Sequence, residues 1–144
     1  MPERGNLDVL THVLKTLFNI SRRKTTEGYA VITMENVIKK LSDKYEFLKN
    51  IEIKDTRFDE IAEPIMINTD VNTVESTRMG NALNDIIRNI NTSLGDDAGH
   101  FFIKEIQTGL GDEYSTTIKD MGVDLGLLQL ENEIHLLEKR LEKK

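Results

Sequence analysis

Leu7, Leu10, Val13, Leu14, Leu17 and Phe18 recur at three- and four-residue steps, which lays one apolar stripe along a helix from about Leu7 to Arg23. Asn6 stands where an N-cap is needed, and Arg22, Arg23 and Lys24 fall where cations suit the negative end of the helix dipole. Thr25-Thr26-Glu27-Gly28 breaks the pattern, and the aromatic and β-branched run Tyr29-Ala30-Val31-Ile32 predicts a short strand. Thr33 then caps a second helix from Met34 to about Leu41 or Tyr45, with Met34, Val37, Ile38, Leu41 and Tyr45 on one face. Asn50–Asp55 alternates polar and apolar positions, as a half-buried strand does. Thr56–Pro64 predicts a loop or frayed edge, and Ile65-Met66-Ile67 a further strand ending at the turn cluster Asn68-Thr69-Asp70.

From there the pattern is helical. Met79, Leu83, Ile86, Ile87, Ile90 and Leu94 form the cleanest amphipathic stripe in the chain, with Ile86 and Ile90 expected at the centre of the core. Thr73, Ser76 or Thr77 is positioned to cap this helix and Gly95 to stop it. Asp96 or Asp97 caps a helix carrying Phe102, Ile106 and Leu110. Gly111-Asp112 separates that helix from one carrying Tyr114, Thr117, Ile118 and Met121, and Gly122 ends it. Asp124 caps the last helix, Leu125 to about Leu141. The fold class is therefore α+β: about six helices with a small two- or three-stranded sheet in the N-terminal half of a single domain spanning residues 1–144. Residues 1–72 make its mixed part and residues 73–144 its helical part.

The last helix carries the most specific pattern. Leu127, Leu130, Ile134, Leu137 and Leu141 alternate steps of three and four, as the a and d positions of a heptad do. Flanking Glu133, Glu138, Arg140 and Glu142 keep it soluble, while Leu128 and Leu136 lie beside the seam and widen the apolar face. About two and a half heptads are marginal as an isolated coiled coil. The helix therefore either closes its own core or forms a dimer interface, the latter with help from an earlier helix, Phe101–Leu110.

The remaining composition removes functions more than it adds them. Lys and Arg number 19 against 25 Asp and Glu, a net charge of −6 that disfavours broad contact with phosphate backbones. Neither half is basic: residues 1–72 hold 11 basic and 12 acidic side chains, residues 73–144 hold 8 and 13. Cysteine is absent, which excludes disulfides, thiolate metal sites and Cys nucleophiles. No apolar run approaches a membrane span, and the start has no signal-peptide pattern, so no membrane contact and a cytoplasmic location are expected. None of Ser21, Ser42, Ser76, Ser93 and Ser115 sits in a nucleophile elbow. No phosphate loop occurs, and Gly109-Leu110-Gly111 matches only the first spacing of a dinucleotide fingerprint. No catalytic residue and no cofactor are expected. Asp96, Asp97 and His100 can share one helix face but lack a further local ligand, so a helix start is expected there and no metal. His12 and His135 read as boundary or surface residues.

One further reading comes from element order. A helix at Leu7–Arg23, a strand at Tyr29–Ile32, a helix at Met34–Leu41, a short helix at Asp43–Lys49 and strands at Ile51–Ile53 and Ile65–Ile67 resemble a winged helix-turn-helix. That resemblance implies that Asp43–Lys49 is a recognition helix, with Lys39, Lys40, Lys44, Lys49 and Lys54 as a modest basic face. The segment itself is net neutral. The expected function is a small non-enzymatic regulatory or adaptor protein that acts by protein–protein association, as a homodimer. A winged-helix DNA-binding regulator is the alternative, and a small-ligand or metal-binding sensor the second alternative.

Overall fold

The computed structural model describes residues 5–53, 65–99 and 101–142. Five helices carry the fold: α1 (Asn6–Lys24), α2 (Glu27–Leu41), α3 (Ser76–Leu94), α4 (Phe102–Asp120) and α5 (Leu125–Glu142). Between α2 and α3, β1 (Ile51–Ile53) pairs antiparallel with β2 (Ile65–Ile67) in the register Ile51↔Ile67, Glu52↔Met66 and Ile53↔Ile65. The period-2 pattern is obeyed: Ile53 and Ile65 are buried, whereas Glu52 and Met66 face solvent. The Thr56–Pro64 loop expectation and Lys54 lie outside the described residues.

α1 is the hub. Its stripe of Val9, Leu10, Val13, Leu14, Leu17 and Phe18 is buried, and α2, α3, α4 and β2 all pack on it. Ile86 and Ile90 of α3 are fully buried in the same continuous core. Asn6 does not cap α1, because the helix already includes it and Gly5 holds the N-cap position. Its amide instead donates to the carbonyls of Val71 and Val74, at 3.0 and 2.6 Å, while Leu7 N–H donates to Asn72 Oδ1 at 2.8 Å. The start of α1 is thereby tied to the 3₁₀ turn Thr69–Thr73 ahead of α3.

Several expected elements differ. Tyr29–Ile32 is helix, not strand, because Thr26 caps α2 by accepting the Tyr29 N–H at 3.1 Å. With that start, Ala30, Val31, Met34, Val37, Ile38 and Leu41 form one buried stripe of 3.6 period, and a four-residue apolar run has no periodicity of its own to oppose it. Thr33 is buried inside the helix. The short helix at Asp43–Lys49 is absent: a turn follows Leu41, then a 3₁₀ turn at Glu46–Asn50 that buries Leu48. α3 starts at Ser76 after Glu75, with no side-chain cap. Asp96 and Asp97 lie in a 3₁₀ turn, Gly95–Ala98, rather than at the N-cap of α4, which is Phe101.

Among the described residues the α-helices number five rather than six because the two helices expected around Gly111 run on as one element. The break survives as a kink, with Gly111 at φ 81° and ψ 168°, a conformation that only glycine adopts without strain. Gly80 has a different role. It lets α3 approach the main chain at Met121 so closely that a methyl there would lie 1.9 Å from the Met121 carbonyl oxygen.

Candidate functional site

α5 starts as its sequence dictates, with Asp124 Oδ1 accepting the Leu127 N–H at 2.9 Å. At about 100° per residue, Leu125, Leu128, Asn132 and Leu136 share one side of this helix. That side faces the protein: Leu128 and Asn132 are buried, and Leu125 and Leu136 half-buried. Asn132 Nδ2 donates to the Gly99 carbonyl at 3.1 Å, so this buried amide has a partner. Arg88 of α3 grips Glu131 through two bonds, Nε to Oε2 at 2.9 Å and Nη2 to Oε1 at 3.2 Å.

The opposite side of α5 is the expected seam, and it faces outward. Leu127, Leu130, Ile134, Leu137 and Leu141 are 46, 52, 48, 54 and 59% exposed. The two functions of the helix are thus divided between its faces. Leu128 and Leu136, which the sequence shows only as a widening of the seam, belong to the docking side. Of the earlier helix expected to assist, Phe102, Ile103, Ile106 and Leu110 are buried in the core, and Phe101 alone offers a large apolar side chain, 69% exposed. It sits at an open groove of about 440 Å³ between α4 and α5, shared with Lys104, Leu125, Gln129 and Glu133.

A polar network runs behind α5 that the sequence did not disclose. Tyr45 is buried, and its hydroxyl donates to Asp85 Oδ2 at 2.7 Å; Lys44 Nζ reaches the same oxygen at 3.1 Å. Arg88 Nη1 bonds Asp85 Oδ1 at 3.3 Å before its fork reaches Glu131. Burial pushes the Tyr45 phenol above its ordinary range, and the Asp85 carboxylate adds to the rise. The hydrogen bond to Asp85 raises the Lys44 ammonium, and that to Glu131 raises Arg88. Arg78 lies over the Tyr45 ring at 5.4 Å. The network joins the turn after α2 to α3 and α5, with Lys44 and Arg88 paired to Asp85 and Arg88 paired to Glu131.

The remaining candidates do not converge. His100 and the Asp96 side chain lie outside the described residues, and among those described no three His, Asp or Glu side chains are grouped to hold a metal ion. His12 is half-buried and stacked on Tyr114, ring centroids 3.8 Å apart; His135 is exposed. Lys39, Lys40, Lys44 and Lys49 are exposed, but Lys40 donates to Asn89 and Lys44 to Asp85. A depression of about 740 Å³ lies open between the second half of α4 and the turn into α5, with Asp112, Ser115, Lys119 and Asp124 on its walls. Its charged side chains Asp112, Lys119 and Asp124 are exposed. Among the described residues no helix is long and apolar enough to cross a membrane. Comparison with protein-family models, curated proteins and solved structures found no match to this chain.

Proposed function

We propose that this chain is a small non-enzymatic association module, a regulatory or adaptor protein that pairs with a second copy of itself through the outer face of α5. One observation carries the reading: five large aliphatic side chains at heptad spacing, each about half exposed, on a helix whose other side is already docked. Isolated exposed leucines are ordinary on protein surfaces. A continuous stripe on the order of a few hundred Å² is the kind of surface that marks a contact site. A twofold pair is the simplest closed arrangement that covers such a stripe on both copies at once. Phe101, exposed at the groove between α4 and α5 beside this helix, offers an aromatic side chain of the type that dominates interface energetics.

The test is the double substitution Ile134→Asp with Leu137→Asp. Both side chains are exposed in the single chain, so the variant keeps its helical circular dichroism and its cooperative melt. Its mass by light scattering falls from twice the chain mass to the chain mass. An unfolded variant would place the seam in the core, and a variant with unchanged mass would place the interface elsewhere. Either result overturns the reading.

A further inference from the structure

The apolar layers of α5 do not choose between parallel and antiparallel partners, because every seam position is a large aliphatic. The charges beside the seam do choose. With Leu127, Ile134 and Leu141 at a and Leu130 and Leu137 at d, Glu131 and Glu138 occupy e, and Glu133 and Arg140 occupy g. In a parallel pair, g faces the e position of the next heptad, so each Glu133 meets the partner's Glu138. An antiparallel pair centred between Leu130 and Ile134 sets Glu133 against its own copy, Glu131 against its own copy, and Asp124 against Glu138. Shifting the centre by half a heptad, to between His135 and Leu136, removes the clash at the g positions and leaves one like-charge contact at e, Glu131 with the partner's Glu138. Leu130 then packs on the partner's Leu141, Ile134 on the partner's Leu137, and each Glu133 faces the partner's Arg140.

We infer that two copies pair antiparallel through α5 in this last register, with two intermolecular Glu133–Arg140 ion pairs flanking the Leu130, Ile134, Leu137 and Leu141 layers. The inference rests on the association reading above and specifies its geometry. The e positions bring Glu131 towards the partner's Glu138, and there the fold supplies the remedy: Arg88 holds Glu131 by two bonds. Glu133 is exposed, and among the described residues its Oε1 accepts a hydrogen bond from Gln129 Nε2 at 3.0 Å, which leaves Oε2 to face Arg140. Arg140 is exposed as well.

Because the chain has no cysteine, engineered thiols report the orientation without background. Leu130→Cys and Leu141→Cys are made as separate single variants of the full chain, at positions 52 and 59% exposed, and their fold is checked by circular dichroism. In the inferred register, two copies of the same variant hold their thiols eleven residues apart along the seam, about 16 Å, beyond reach of a disulfide. Mild oxidation of either variant alone leaves it uncross-linked, and an equilibrated mixture of the two gives a covalent dimer. Cross-linking of each variant with itself would overturn the antiparallel register in favour of a parallel pair and leave the association reading standing. No cross-link in any sample, with monomeric mass, would overturn both. A charge swap gives an independent reading. Arg140→Glu weakens the dimer roughly tenfold, from two pairs turned repulsive. Combining it with Glu133→Arg restores the wild-type dissociation constant. In a parallel pair Arg140 and Glu133 do not face each other, so an Arg140→Glu variant as tight as wild type contradicts the register.

Discussion

Replacing Gly80 with alanine sets two effects of opposite sign against each other, and the structure decides between them. In an exposed helix the change gains about 0.8–1.0 kcal/mol, because alanine loses less backbone entropy than glycine. Gly80 is not exposed. Its added methyl would lie 1.9 Å from the Met121 carbonyl oxygen, 2.6 Å from that carbonyl carbon and 3.1 Å from Met121 Cβ. Contact between such atoms is comfortable at about 3.5 Å, so the shortfall is about 1.5 Å, and the obstacle is main chain, which has no rotamer to escape into. That main chain is also pinned. Met121 N–H donates to the Thr117 and Ile118 carbonyls, Gly122 N–H to Lys119 and Val123 N–H to Ile118. Overpacking of this kind costs typically 1–3 kcal/mol and more where backbone must move. The net expectation is a loss of about 2 kcal/mol, or a melting temperature lower by about 4–8 °C for a domain of this size. Urea unfolding followed by circular dichroism measures it. A Gly80→Ala protein as stable as wild type, or more stable, would refute the close approach of α3 to the α4–α5 turn and show helix propensity alone at work.

Two other perturbations probe the body of the fold. Ile86→Ala removes a fully buried side chain from α3 and should cost about 2–5 kcal/mol; a urea midpoint shift equivalent to less than about half a kcal/mol would mean that this face does not pack. The Tyr45 phenol has its folded-state pKa raised by burial and by Asp85, so its stabilising contribution is complete below the ordinary tyrosine value of about 10 and is lost as pH rises through the folded value. Wild type should therefore lose stability above about pH 10, and Tyr45→Phe should cost about 1 kcal/mol at neutral pH while flattening that alkaline loss. An alkaline profile unchanged by the substitution would remove Tyr45 from the explanation.

The features legible in the sequence are those with local causes. The stripes of α1 and α3, the Asp124 cap, the stops at Gly95 and Gly122 and the alternation of β1 each depend on residues within one turn or one strand of each other. The structure departs from the sequence pattern where a local signal is ambiguous. Tyr29–Ile32 satisfies strand propensity, and only the longer view, from Thr26 as a cap through the spacing of Ala30, Met34, Ile38 and Leu41, reveals α2. What could not be read was long-range. Tyr45 and Asp85 are forty residues apart in sequence, Arg88 and Glu131 forty-three, and nothing local marks either pair. The same holds for Gly80, whose necessity appears only when Met121 lies against it. The seam of α5 was visible as a pattern, but a heptad does not say which side of a helix faces the core. Docking by Leu128 and Asn132 settles that, and leaves Leu127, Leu130, Ile134, Leu137 and Leu141 outside.

The central claim, that the outer face of α5 is covered by a second copy, is tested most directly by sedimentation equilibrium of the unaltered chain over a wide range of concentrations. A particle of twice the 16.5 kDa chain mass at micromolar concentration, dissociating on dilution to a single chain, is the expected result. A mass that stays at 16.5 kDa up to the highest concentration attainable would contradict it.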